Sequence, residues 1–359
     1  MRTFSLRSPL VAGCALMVCA AALSTIIGGC PNAPQSQSTN IDTTTDDIVS
    51  PDGGVTDTDD DADSDDSIAV IPEDDAILVS IVMHFEEPPG YPNFVSDQSA
   101  FNEYRAALVT FAGALHNASV RFDFQSDWNF LAAIDTWDSG DAGTNGKNVV
   151  RWLNEDLGFS IDPHAHETTY NYADVAYLLE QLGVTPTGVV GGFIADPPNQ
   201  SVLEQFWSAI EGDQYPGYFW NATVLWGGGT GNHVNESAMW ASGIWRPQDR
   251  GHFLTHDDAA PLPVIGNFGG TWENLDLLLS LRDAGALGSG VHTCTIMTNG
   301  RDIVEPGFID EFAAELAARR ASTAIRWITL PEALEIWEAQ YGSVANQVLY
   351  NDVAASAAN

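Results

Sequence analysis

IDPHAHE, the sequence of Ile161–Glu167, ends an apolar run and precedes a segment with helical periodicity. The stretch therefore lies at the carboxyl end of a predicted strand that is followed by a helix. Side chains two residues apart on an extended strand point to the same side, so His164 and His166 are directed at one point. Imidazole nitrogens bind zinc and neighbouring first-row metals, which predicts a metal site; two polar histidines in a loop are the alternative.

A similar arrangement occurs earlier in the chain, where His84-Phe-Glu86-Glu87 ends another apolar run. It supplies the carboxylates that the histidine pair lacks, and His84 is a further candidate ligand. Imidazoles and carboxylates are common ligands of catalytic metals, which keep one coordination position open for chemistry. The two stretches together predict one divalent cation, with zinc as the expected metal, held by residues that follow different strands.

Strand-like and helix-like segments alternate throughout residues 76–350. Such alternation is typical of parallel β/α units, and seven or eight units favour a closed or nearly closed barrel. We therefore predict an α/β fold, a single distorted (β/α)7–8 barrel. The predicted strands are Ile77–His84, Val120–Phe124, Phe159–His164, Gly188–Ile194, Thr223–Trp226, Gly243–Trp245, Val264–Asn267, Gly290–Met297 and Ile325–Thr329. The predicted helices are Ser99–Leu115, Asn148–Leu157, Tyr172–Leu182, Ser201–Ile210, Trp272–Ala284, Gly307–Arg320 and Pro331–Tyr341.

Polar residues recur at the ends of the predicted strands, and β/α barrels place their active sites at the carboxyl ends of strands. A purely structural barrel would not need them there, so their recurrence indicates an enzyme. The residues concerned are His84, Glu86, Glu87, Asp123, Gln125, His164, His166, Arg246 and His292. Among them, Asp123 and Gln125 are the candidates for contact with the substrate.

The order of these residues resembles the motifs of the polysaccharide deacetylase (NodB-homology) superfamily of distorted β/α barrels. His84-Phe-Glu-Glu87 stands where that family has Thr-Phe-Asp-Asp. His164 and His166 stand where the family has two metal-binding histidines, although those are four residues apart rather than two. The resemblance covers Ile77 to about Tyr341, and glutamates replace both aspartates of the first motif.

The resemblance implies a role for each matching residue. Glu86 would be the general base, and Glu87 would bind the metal together with the two histidines. Arg246, followed by proline, would orient the base, and His292 would be the general acid. The implied reaction is removal of N- or O-acetyl groups from a carbohydrate by a metal-activated water.

Five tryptophans lie in one glycine-rich region that contains Gly227-Gly-Gly229. Indole rings stack on sugar rings, which makes Trp226 and Trp245 candidate substrate-binding residues, but tryptophan is equally a core residue. The five are Trp207, Trp220, Trp226, Trp240 and Trp245.

Two other functions are compatible with these residues. One is a glycoside hydrolase on a related barrel, which would use a pair of carboxylates. The other is a non-catalytic surface protein that binds carbohydrate on the same fold. Metal content and acetate release distinguish these functions from a deacetylase.

The amino-terminal region predicts export. Residues 1–29 combine Arg2 and Arg7 with an apolar run, and Ile27-Gly-Gly-Cys30 resembles the lipobox of bacterial lipoproteins. By that resemblance Cys30 carries lipid and anchors the protein to the bacterial cell envelope, with the outer membrane expected. Residues 30–75 are a predicted Asp-rich disordered linker, residues 76–350 the barrel domain, and residues 351–359 a tail.

The formal net charge of −36 restricts the partners of this chain. Residues 41–75 contain 14 of the 49 acidic residues and no basic residue. Beyond them, 35 acidic residues stand against 11 basic ones, so the folded part is acidic as well. A surface of this sign argues against nucleic acid as a partner. We expect a monomer that acts on a carbohydrate substrate.

Overall fold

The computed structural model describes residues 76–166, 169–192, 203–227 and 241–350. The predicted signal segment, the linker, Cys30 and the tail lie outside these residues, as does Trp240. The strands are β1 (Ile77–Phe85), β2 (Asp123–Ser126), β3 (Ser160–Pro163), β4 (Val189–Val190), β5 (Ile210–Glu211), β6 (Phe219–Trp220), β7 (Val224–Trp226), β8 (Ala241–Ser242), β9 (Ile244–Trp245), β10 (Val264–Ile265), β11 (Thr293–Asn299), β12 (Ile325–Trp327) and β13 (Val348–Leu349). The helices are α1 (Gln98–Asn117), α2 (Trp128–Trp137), α3 (Val149–Arg151, continued by a wider turn over Trp152–Asp156), α4 (Tyr172–Gln181), α5 (Trp272–Asp283), α6 (Phe308–Arg319) and α7 (Leu330–Tyr341).

The largest sheet is parallel and is built around β1. All nine residues of β1 are buried, as expected for a strand that is covered on both faces. β11 pairs with β1 over nearly its whole length, while β12 and β2 pair with the beginning and the end of β1 respectively. β3 extends the sheet beyond β2. The carboxyl ends of β1, β2 and β3 therefore lie side by side at one edge.

A second sheet has the order β4-β7-β10-β9. β4, β7 and β10 run parallel to one another, whereas β9 runs antiparallel to β10. Two short antiparallel pairs, β5 with β6 and β8 with β13, complete the strands of the described residues. Because β9 runs in the opposite direction, Arg246, which follows it, lies at the opposite end of this sheet from residues that follow its parallel strands.

Within the described residues, hydrogen bonds rather than strand pairing connect the two larger sheets, on both sides. At one edge, the buried carboxylate of Asp162 in β3 accepts hydrogen bonds from the backbone of Gly188 and Val189 at 2.9 and 3.1 Å. At the other edge, the backbone nitrogen of Thr295 in β11 donates to the oxygen of Asn267 at 3.0 Å. The parallel α/β prediction is confirmed, but the strand pairing is divided between two sheets, and the expected closed barrel is not confirmed.

Most predicted helices are present, and their first turns show why they begin where they do. Asn171 caps α4 and Thr329 caps α7, each through a reciprocal capping box, and proline occupies the first turn of α7. The predicted helix over Ser201–Ile210 is wrong: among its described residues, Leu203–Trp207 form a 3₁₀ turn and Ile210 begins β5. Helix α2, capped by Asp127, was not predicted. No helix of the described residues is long and apolar enough to span a bilayer.

Candidate metal centre

His84 occupies the carboxyl end of β1 and is 2% exposed. Its Nε2 donates a hydrogen bond to Oε1 of Gln125 at 2.6 Å, and Gln125 is the residue opposite it in β2. A hydrogen bond from one ring nitrogen sets the tautomer and leaves Nδ1 in the form that can bind a metal. Gln125, predicted to contact substrate, is itself fully buried and orients this imidazole instead.

His164 directly follows β3 and is held in the same way. Its Nδ1 lies 3.0 Å from the backbone oxygen of Gly191, which also accepts a hydrogen bond from the Tyr172 hydroxyl at 2.7 Å. The His164 ring stacks on the His84 ring with centroids 4.0 Å apart, and Trp226 contacts His84 edge-on at 5.4 Å. The two imidazoles are therefore fixed against each other by buried neighbours.

The backbone at Gly191-Gly192 closes this side of the centre. A Cβ at Gly191 would lie 2.3 Å from Oε1 of Gln125. A Cβ at Gly192, whose φ is +71°, would lie 3.1 Å from Cε1 of both His84 and His164. Glycine at these two positions allows the backbone to pass directly over the stacked rings of His84 and His164.

His84, Glu86 and His164 form a first set of possible ligands. Each residue offers one ligand atom, and these atoms lie within 4.8 Å of one another. Two imidazoles and one carboxylate are the ligand set of a known class of catalytic zinc sites, which leave a fourth position for water or substrate. The chemistry of this donor set and the hydrogen bonds that orient both imidazoles fit a divalent metal.

Glu87, Asp127 and His166 form a second set, whose ligand atoms also lie within 4.8 Å of one another. Nδ1 of His166 is 3.9 Å from Oε1 of Glu87 and 3.9 Å from Oδ2 of Asp127. The rings of His164 and His166 are 4.9 Å apart, so the two sets are neighbours. The four ligands predicted for one ion, His84, Glu87, His164 and His166, are thus divided between two sets, and Glu86 joins the first.

Asp127 is a site residue that the sequence analysis missed. It is 2% exposed, and burial together with the neighbouring charge of Glu87 raises the pKa of its carboxyl to about 8. Its neighbour Trp128 donates a hydrogen bond from Nε1 to Oε2 of Glu87 at 2.9 Å and stacks on Tyr170 with centroids 4.9 Å apart. A helix N-cap aspartate before an apolar periodic run was the signal that would have identified α2, and with it these residues.

The structure does not bring Arg246 to Glu86, so the predicted contact between them is wrong. Nη2 of Arg246 lies 3.2 Å from Oε1 of Glu338, and its guanidinium lies over the ring of Trp337 at 5.6 Å. The reason is the direction of β9, which is antiparallel to β10 and therefore ends at the opposite edge of that sheet.

His292 also lies away from the centre, which contradicts its predicted role as general acid. It precedes β11, where Thr293 pairs with Leu78, whereas His84 pairs with Asn299. At about 3.3 Å per residue, His292 is roughly 20 Å along the sheet from His84. Its Nε2 is 2.8 Å from the oxygen of Gly288.

The other predicted substrate residues have structural roles. Asp123 begins β2 rather than ending it, and its buried carboxylate accepts a hydrogen bond from the first backbone nitrogen of α7, that of Leu330, at 3.0 Å. Trp226 and Trp245 are fully buried, so neither presents a ring face to a sugar. Their indole nitrogens donate to Thr295 and to the oxygen of Phe253.

Known structures resemble this chain at low sequence identity. No family model matches it. No curated protein matches it either. Solved structures that resemble it include a probable polysaccharide deacetylase from Pseudomonas aeruginosa PAO1, with 13% identity, a TM-score of 0.45 and coverage of 74% of this chain and 92% of that one. Puue allantoinase has 12% identity, a TM-score of 0.46 and coverage of 74% and 92%. A GH57 branching enzyme from Thermococcus kodakaraensis has 10% identity, a TM-score of 0.41 and coverage of 73% and 71%. The chain itself is a mixed α/β protein with a parallel sheet, and the structures that resemble it include deacetylase and glycoside hydrolase folds.

Proposed function

We propose that this protein is a metal-dependent hydrolase that removes acetyl groups from a carbohydrate. One observation carries the proposal: His84 and Glu86, at and just after the end of β1, meet His164, which follows β3, at the carboxyl edge of a parallel sheet. Buried imidazoles whose other nitrogens are held by an amide and a backbone oxygen are typical of metal ligands. Zinc is the metal that this donor set suits.

A bound metal would polarise an acyl oxygen and lower the pKa of water. The side chains and backbone of the protein would contribute the other interactions with substrate and metal. Glu86 and Glu87 are partly exposed, so both can meet solvent and substrate, whereas His84 and His164 are buried. Gln125 and the oxygen of Gly191 hold the two imidazoles in place, so that little reorganisation is needed when a ligand arrives.

Trp128 and Tyr170 support a carbohydrate as the substrate class. Both are partly exposed and stacked nearly parallel, at 16°, beside Glu87. An aromatic surface next to the carboxylates could contact a sugar ring, a role that buried Trp226 and Trp245 cannot fill. Export, lipid attachment at Cys30 and a monomeric state are parts of the same proposal.

The test is acetate release from acetylated chitin, xylan and peptidoglycan fragments, measured before and after removal of metal with a chelator. We expect release that chelation abolishes and zinc restores. His164→Gln should abolish it, while the matched control His252→Gln should not, since His252 is exposed and its Nδ1 contacts the carboxylate of Asp249. Release that chelation does not alter would refute the metal-dependent function. A metal-binding protein that binds these fragments without releasing acetate would instead be a carbohydrate-binding protein.

A further inference from the structure

We propose that the second set, Glu87, Asp127 and His166, binds a cation of its own, so that the centre holds two ions. The inference extends the proposed function, which requires only the ion at the first set. The two sets share no residue, and the rings of His164 in the first set and His166 in the second have centroids 4.9 Å apart. Hydrolases with two metals place the ions about 3.5–4 Å apart, which is compatible with neighbouring sets of this kind.

The distances within the second set suit an ion better than direct hydrogen bonds. Nδ1 of His166 is 3.9 Å from a carboxylate oxygen of Glu87 and 3.9 Å from one of Asp127. Hydrogen bonds between such atoms are about 2.7–3.2 Å long. Two ligand atoms bound to the same tetrahedral zinc ion, each about 2.0–2.2 Å from it, lie roughly 3.3–3.6 Å apart. The observed 3.9 Å separations exceed this range by a few tenths of an ångström, so a small inward movement of the exposed His166 side chain would bring the three groups to one cation.

Both carboxylates are oriented by hydrogen bonds that leave one oxygen directed at His166. Oδ1 of Asp127 accepts from the backbone nitrogen of Trp128, and Oε2 of Glu87 accepts from the Trp128 indole. Oδ2 of Asp127 is buried and has no hydrogen-bond partner among the residues that the structure describes. A buried carboxylate oxygen without a partner is costly to desolvate, and a bound cation would offset that cost. One tryptophan thus aligns two candidate ligands of the same ion.

The experiment is a count of zinc ions per chain. The purified protein is stripped with a chelator, loaded with zinc, freed of excess metal by gel filtration and analysed for metal and protein. We expect two ions in the wild type and one in Asp127→Asn. Asparagine is as good a helix N-cap as aspartate, so this variant should retain α2. His166→Gln, at an exposed position, is a second variant with the same expected loss, and Asp135→Asn on the exposed side of α2 is the matched control that should keep two ions.

One zinc ion in the wild type, or two ions in both Asp127→Asn and His166→Gln, would overturn the inference. These outcomes are separable from the proposed function. Acetate release by a protein with one ion would refute the second site alone. Two ions, one of them lost in the variants, with no release of acetate from any substrate would refute the deacetylase function alone.

Discussion

Replacing Asp162 tests how the two larger sheets are held together. Its Oδ1 accepts from the buried backbone nitrogens of Gly188 and Val189, and its Oδ2 accepts from the hydroxyls of Ser160 and Thr187, at 3.2 and 2.5 Å. Asp162→Ala leaves two buried N–H groups without acceptors at about 1–3 kcal/mol each, so we expect a loss of about 2–6 kcal/mol of unfolding free energy. The hydroxyls of Ser160 and Thr187 are 3.2 Å apart and can form a hydrogen bond with each other, so their loss of Asp162 as an acceptor adds little to this free-energy change.

Asp162→Asn is the matched variant, because its carbonyl oxygen can still accept from both backbone nitrogens and its amide can donate to the hydroxyls. We expect it to lose less than about 1.5 kcal/mol, roughly one net hydrogen bond. The assay is urea denaturation of the metal-free protein followed by tryptophan fluorescence at pH 6. Equal losses for alanine and asparagine would refute the reasoning, as would a loss below about 1 kcal/mol for alanine, since either result means that this carboxylate does not satisfy the β4 backbone.

The difference in unfolding free energy between Asp162→Asn and the wild type should also change with pH, in a direction that the pKa of Asp162 determines. Burial raises the pKa of Asp162 to about 7, whereas an unfolded aspartate titrates near pH 4. Between these values the folded protein binds the extra proton, so the contribution of Asp162 to stability is fully present below about pH 4 and is lost as the pH rises through 7. Asparagine cannot titrate. The unfolding free energy of Asp162→Asn relative to the wild type should therefore rise from pH 5 to pH 8, and an unchanged difference would contradict the raised pKa.

Three further changes test other parts of the structure. Gly192→Ala should weaken zinc binding and lower the unfolding free energy by about 1 kcal/mol or more, because its Cβ would press on both stacked imidazoles at a positive φ; isothermal titration and urea denaturation measure the two effects. Trp128→Phe keeps an aromatic ring but removes the hydrogen bond to Glu87. The affinity of the second set for zinc should therefore fall by about 10–100-fold without a large change in melting temperature. Arg246→Gln should leave the rate of acetate release unchanged, because the guanidinium of Arg246 pairs with Glu338 away from the centre. A large loss of rate would instead support the predicted role of Arg246 in orienting Glu86.

Apolar runs predicted much of the fold because buried parallel strands are apolar on both faces. The runs over Ile77–His84 and Phe159–His164 correspond to β1 and β3, and the structure ends these strands within one residue of the predicted limits. The two stretches that define the candidate centre follow these strands. Their position at the sheet edge could thus be predicted without knowledge of the long-range pairing.

The misplacement of Arg246 and His292 has one physical origin, which is that the order of residues along a chain does not determine strand direction or register. Arg246 follows a strand that is antiparallel to its neighbour, and His292 precedes its strand rather than ending it. The burial of Trp226 and Trp245 could not be predicted from composition either, because a tryptophan in a glycine-rich region can lie in the core or on the surface; both lie in the core. Asp127 was missed for a different reason: the helix that it caps was overlooked, although its local sequence contains the necessary signal.

The glycine pair at 191–192 suggests how other chains of this kind could be recognised. A methyl group at position 191 would clash with Gln125, and one at position 192 would press on both imidazoles, so the two glycines are sterically coupled to those side chains. Distant relatives that keep the same centre should therefore carry Gly-Gly after the histidine pair, even where the acidic residues have changed. A search that combines this doublet with the His-x-Glu and His-x-His spacings would select on the path of the backbone beside the imidazoles as well as on the ligands.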